Sequence, residues 1–120
     1  MVLVDTSVWI RHFRLGDPKL ADCLSKGLVL MHPFVAGELA CGNLMNRSAV
    51  LSDLHALPAV AVASDGETLA FLEDRRLWGR GLGWIDIHLL ASAVLAECDL
   101  WTLDKRLARA AEAMGVGRSA

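Results

Sequence analysis

Residues 84–107, WIDIHLLASAVLAECDLWTLDKRL, carry the alternation that organises this chain. Trp84 to Glu97 is apolar on nearly every side, the pattern of a helix buried at the centre of a domain. Asp99 to Leu103 then reads as a short strand, and Asp104 opens a last helix running to Met114. A buried helix that leads into a short apolar strand, and from there into another helix, belongs to a parallel sheet covered by helices on both faces.

The same alternation extends toward the N-terminus. Residues 2–5 read as a short buried strand and Ser7 to Arg14 as a helix. Asp17-Pro18 supplies an N-cap and a first-turn proline for KLADCLSKG, which Gly27 stops. Leu28 to Met31 is a second strand, and Pro33 opens a helix to about Leu44. Arg47 to Leu57 is a helix ended by Pro58, and Ala59 to Ala63 is a third strand candidate. Ser64, with Glu67 three residues later, makes a capping box that starts a helix to Leu77. Gly79, Gly81 and Gly83 form a loop. The expected architecture is α/β, one domain over residues 1–120, with a short-stranded, mostly parallel sheet flanked by helices. Sites in such sheets gather at the carboxyl ends of strands, where Asp5 and Asp104 stand.

A chain of 120 residues can bury a real core, and 54% hydrophobic against 22% charged residues marks it as globular. No apolar run approaches the ~20 residues of a membrane span. The N-terminus lacks a basic region and Asp5 interrupts its apolar run, so no signal peptide is expected and the cytoplasm is the expected location. Cys23, Cys41 and Cys98 are odd in number and form no CxxC, which reads as free thiols in a reducing compartment. A net charge of −2 gives no bulk attraction for nucleic acid, so such binding would rest on local basic clusters or on a metal bridge.

Four acids interrupt apolar surroundings: Asp5 in VLVD, Glu38 in PFVAGELACG, Asp86 in WIDIHLLA and Asp104 after LWTL. A carboxylate inside an apolar element is costly unless a positive group meets it, and a hard divalent cation is an economical partner. Each acid also has a plainer reading. Asp5 and Asp104 precede helices, and taken singly capping explains them as well as chemistry does. Asp86 suits an N-cap or first-turn acid, although Leu89 and Leu90, three and four residues on, turn its face toward the core. Glu38 is harder to explain, because its helical neighbours Phe34, Val35, Cys41 and Gly42 include no cation. Four such acids on four elements make a carboxylate-only metal site the leading hypothesis.

In this order and in these settings the acids resemble those of PIN-domain ribonucleases. The stretches VLVDTSVWI, PFVAGELA, GLGWIDIHLLASAVL and LWTLDKRL resemble, more closely, the VapC-type toxins of bacterial toxin–antitoxin pairs, over essentially the whole chain. The resemblance implies a PIN-domain-like α/β/α sandwich whose four family acids are Asp5, Glu38, Asp86 and Asp104, with Thr6 or Ser7 as a supporting hydroxyl. It implies endoribonuclease activity dependent on one or two Mg²⁺ or Mn²⁺ ions. Asp5 and Asp86 are the expected direct ligands, while Glu38 and Asp104 ligate directly, act through water or position the nucleophile. It further implies a VapB-type antitoxin lying over the acidic cleft, a homodimer, and a structured RNA substrate for which tRNA is a reasonable guess.

RNA contact is expected first from Arg80 beside the glycine loop, then from Arg76 and Arg11. For these, and for the cluster Lys105, Arg106 and Arg109, solvated helix faces are the plainer reading. His12, His32, His55 and His88 lack metal-ligand spacing and read as structural. Trp9, Trp84 and Trp101 read as core, with Trp78 the exception as a base-stacking surface. The stripes Ala36, Leu39, Ala40, Leu44 and Val50, Leu51, Leu54 serve equally well as a dimer surface or as the chain's own core. A phosphoacceptor receiver domain needs an acid pair after its first strand, and an Asp-x-Asp phosphatase needs an acid at position 7, where serine stands. The remaining alternative is a catalytically silent PIN module that binds RNA or protein, and intact acids at all four positions argue against it.

Overall fold

The computed structural model describes residues 1–118. Its sheet has three parallel strands, β1 (Val2–Val4), β2 (Val29–Leu30) and β3 (Asp99–Trp101), in the order β2-β1-β3. The helices are α1 (Thr6–Leu15), α2 (Pro18–Ser25), α3 (Pro33–Ala40), α4 (Arg47–His55), α5 (Asp65–Asp74), α6 (Trp84–Ala96) and α7 (Lys105–Ala113). Parallel neighbours cannot be joined by tight turns, so the long helical crossovers are obligatory. Val2, Leu3 and Val4 are all buried, so β1 is covered on both faces, and the architecture is an α/β/α sandwich. Leu3 stands in register with Leu30 and Leu100, and with Leu89, Leu90 and Leu107 these side chains fill the core.

Local chemistry explains where the element ends depart from expectation. The first helix starts at Thr6 rather than Ser7, because Asp5 itself is the N-cap. The helix from Pro33 stops at Ala40 rather than Leu44, since the Cys41 amide bonds back to Gly37 and Glu38 and the chain turns away. Arg76, at φ 52°, closes α5 before Leu77. Leu77 donates its amide to Leu72 O and buries its side chain, the hydrogen bond and apolar contact of a Schellman closure.

The strand expected over Ala59–Ala63 does not form. Met31 and Ala59 make one parallel bridge, and then the Ala63 amide turns to Ser92 Oγ at 3.4 Å, which draws the chain off the sheet edge. The capping box at Ser64 and Glu67 is present, with both reciprocal bonds. So is the cap at Asp17, whose Oδ1 accepts from the Lys19 and Leu20 amides. In α6 the all-round burial holds from Ile87 to Ala93, whereas Trp84 and Leu95 emerge at its ends. Ala36, Leu39 and Leu54 belong to the chain's own core and are not a free surface. Among the described residues, no helix is long and apolar enough to cross a membrane.

Candidate active site

The carboxyl end of β1 delivers Asp5 directly into the first turn of α1. Its backbone amide donates to Trp101 O at 2.9 Å, which ties it to β3. Its carboxylate is almost enclosed by donors: Oδ1 accepts from the Thr6 amide at 2.8 Å, and Oδ2 from Ser7 Oγ at 3.1 Å and Thr102 Oγ1 at 2.7 Å. Thr102 has a second duty, accepting the Asp104 amide at 3.1 Å, while Ser7 Oγ accepts the Leu103 amide at 3.0 Å. These hydroxyls stitch the ends of β1 and β3 together. Thr6 reaches the other way, donating from Oγ1 to Glu38 Oε1 at 3.0 Å and so fixing α3 to the same point. Both candidate hydroxyls, Thr6 and Ser7, therefore bond to candidate acids.

Thr102 escaped the reading of the sequence. The available signal was a hydroxyl residue inside LWTL, two positions before Asp104. Thr102→Val is expected to cost about 2 kcal/mol, because it withdraws a donor from a buried carboxylate and an acceptor from the Asp104 amide. A denaturation midpoint equal to that of the parent protein would refute this.

Asp86 stands at the N-terminus of α6 and accepts the Gly83 amide at 2.9 Å through Oδ2. Asp104 caps α7, with Oδ1 accepting from the Arg106 and Leu107 amides at 2.8 and 3.1 Å. Capping, the plainer reading, is thus correct for Asp5 and Asp104. It leaves room for chemistry, since Asp104 Oδ2, Asp86 Oδ1 and Glu38 Oε2 have no protein donor among the described residues.

Burial pushes the Asp86 carboxyl above its ordinary value, the Gly83 amide pulls it down, and the negative charges of Asp5, Asp104 and Glu38 push it further up. Four acids from four elements therefore share one electrostatic neighbourhood. They are not drawn into a ready-made cage: among the described residues no three His, Cys, Asp or Glu side chains group closely enough to hold an ion. The chemistry of the set nevertheless fits a hard divalent cation. All its donors are carboxylate oxygens, and none of these acids forms an ion pair among the described residues.

The basic residues divide. Arg11 is committed to buried Asp17 at 2.6 Å, and Arg75 to Asp74 and the Phe71 ring. Arg76 and Arg80 are exposed. Beside Glu38, a groove of about 310 Å³ is lined by Ile10, Phe13, Arg14, Leu39 and Leu44 among others. His32 and His88 are buried against Phe34, and Trp84 meets His88 edge-on. His88 is tied to Thr68 and Asp65, consistent with a structural role.

Comparison with known proteins adds the family. Residues 2–113 match the PIN domain family. A Mycobacterium tuberculosis protein from strain CDC 1551 / Oshkosh, named Ribonuclease VapC32, is 45% identical over 117 residues, covering 97% of this chain and 94% of that one. The protein of the same name from strain ATCC 25618 / H37Rv shows the same identity and coverage.

Proposed function

This chain belongs to the PIN domain family as a homologue of VapC ribonucleases, and from that premise we propose that it is a divalent-metal-dependent endoribonuclease toxin. The observation that carries the reading is the electrostatics of Asp86, a half-buried carboxylate that feels three other acids and has no cation paired with it among the described residues. Asp5, Glu38, Asp86 and Asp104 would hold one or two Mg²⁺ or Mn²⁺ ions. When bound, such an ion neutralises the acids and provides an acidic water and charge stabilisation for phosphodiester hydrolysis.

The chain's own contribution is orientation. Three donors hold the Asp5 carboxylate in one rotamer, and Thr6 points Glu38 at the same space. The Gly83 amide fixes one oxygen of Asp86 and leaves the other without a protein donor among the described residues. The caps of α1 and α7 present Asp5 and Asp104 at positive helix ends, which lowers the cost of gathering negative charge.

The substrate is a structured, tRNA-like RNA, and the partner is a VapB-type antitoxin. The groove beside Glu38, with exposed Ile10 and Phe13 on its wall and Arg14 at its edge, suits an amphipathic segment of that antitoxin. A homodimer in the cytoplasm completes the proposal. Total cellular RNA incubated with antitoxin-free protein is expected to give discrete fragments with Mg²⁺ or Mn²⁺ and none with EDTA. Intact RNA under every metal condition would instead favour a silent binding module.

A further inference from the structure

We propose that Arg106 contacts the substrate, its guanidinium taking an RNA phosphate adjacent to the one being cleaved; the proposal rests on the ribonuclease reading above. Arg106 lies in the first turn of α7, and its backbone amide is bonded to Asp104 Oδ1 at 2.8 Å, so its main chain is fixed to one of the four acids. Its side chain is exposed yet lies against the protein. It folds across the glycine loop, where a Cβ on Gly81 would stand 2.8 Å from both Arg106 Cδ and Nη1. Gly81 also has φ 76°, a left-handed conformation that favours glycine, and the end of the arginine occupies the space a side chain there would enter. The loop reaches Gly83 two residues later, whose amide holds Asp86. The guanidinium therefore lies over the segment that leads into one acid while its backbone is anchored to another.

Among the described residues Arg106 forms no ion pair and its guanidinium donates no hydrogen bond to protein. Four arginines are engaged, Arg11 with Asp17, Arg47 with Gly42 O, Arg75 with Asp74 and Arg118 over the Trp101 ring, whereas Arg14, Arg76, Arg80 and Arg109, like Arg106, have no side-chain partner among the described residues. Arg106 is exposed and keeps its donor fork available. An RNA strand approaching four acids is repelled by them, and a guanidinium on the loop that leads to Asp86 both offsets that repulsion and matches a phosphate bidentately. Arg80 is exposed in the same loop, but its backbone is not bonded to one of the four acids as that of Arg106 is, which makes Arg106 the better-placed phosphate ligand.

The test measures binding of total tRNA in Mg²⁺ over a series of salt concentrations. It uses the Asp86→Asn background so that the RNA is not consumed. Arg106→Ala is expected to weaken binding about tenfold and to flatten the plot of log affinity against log salt by about 0.7 to 0.9. Arg106→Lys is expected to restore the slope, because the charge remains, but only part of the affinity, because the fork is lost. Unchanged affinity and slope in Arg106→Ala overturn the proposal. A loss of affinity at unchanged slope overturns it too, since that marks a structural effect. Should the alanine variant fail to fold, the lysine variant carries the test: full parental affinity in it counts against the bidentate contact. If the parent protein neither binds nor cleaves RNA, the ribonuclease reading fails, and this proposal with it.

Discussion

Asp86→Asn is expected to abolish RNA cleavage, by about a thousandfold or more, while leaving the protein at least as stable as before. The activity loss follows from removing one of the carboxylates that would hold the ion, since a metal's stabilisation of developing charge amounts to several kcal/mol and each 1.4 kcal/mol is about tenfold in rate. The stability claim follows from geometry. The amide oxygen of Asn can still accept the Gly83 amide, so the entry to α6 is preserved. The penalties of burying a charge and of facing Asp5, Asp104 and Glu38 disappear.

The sign for pH follows from the same shift. Because the folded-state value of Asp86 is raised, the native protein holds a proton that the unfolded chain has released, in the window between the ordinary value of 3.8 and the raised one. The Asp86 contribution to stability therefore falls as pH rises through that window, and the variant lacks the fall. Cleavage assays and denaturant midpoints on the same preparations decide the matter. Retained metal-dependent activity would remove Asp86 from the site, and a large loss of stability would show that the Gly83 contact needs an ionised partner.

A second large effect is acid sensitivity centred on His32. Its ring is fully buried, Nδ1 accepts the Phe34 amide at 3.0 Å, and Nε2 has no partner among the described residues. Burial, helped by the nearby charge of His88, lowers its pKa from 6.5 to about 4. In the window between these values the unfolded chain binds a proton that the native protein refuses. The stabilisation is therefore present above pH 6.5 and is lost as pH falls toward about 4, by on the order of 3 kcal/mol. His32→Asn keeps an acceptor for the α3 cap but does not titrate, so its stability should change less over the same range. Equal pH slopes for the two proteins would assign the acid sensitivity to other groups.

Much of this molecule was legible from local sequence. Asp17-Pro18 and Ser64…Glu67 act over three or four residues, and both caps form as their chemistry dictates. The four acids could be selected because each breaks an apolar run, a contrast visible without any fold. Thr102 could not be selected in this way. Its importance comes from Asp5, 97 positions away, and no pattern around LWTL announces it. Arg106 looked like one more cation on a solvated helix, and only its contact with Gly81 across the fold distinguishes it. Arg11 shows the opposite case, a cation whose local partner, Asp17, stands six residues on. The strand expected at 59–63 failed because its apolar composition says nothing about where Ser92 will stand.

The double employment of Asp5 and Asp104, as helix caps and as candidate ligands, bears on how such a chain can decay under mutation. Losing a cap costs roughly 1 kcal/mol, so a substitution such as alanine that removes the carboxylate at either position also thins the population of folded protein, whereas Asn keeps a capping oxygen. Glu38 caps no helix, so disarming the chain there spares the caps, and at Asp86 a residue that still accepts the Gly83 amide does the same. In the proposed toxin–antitoxin pair, a chain disarmed by that second route would stay folded as a decoy that still occupies antitoxin and so raises the free level of any active copies beside it.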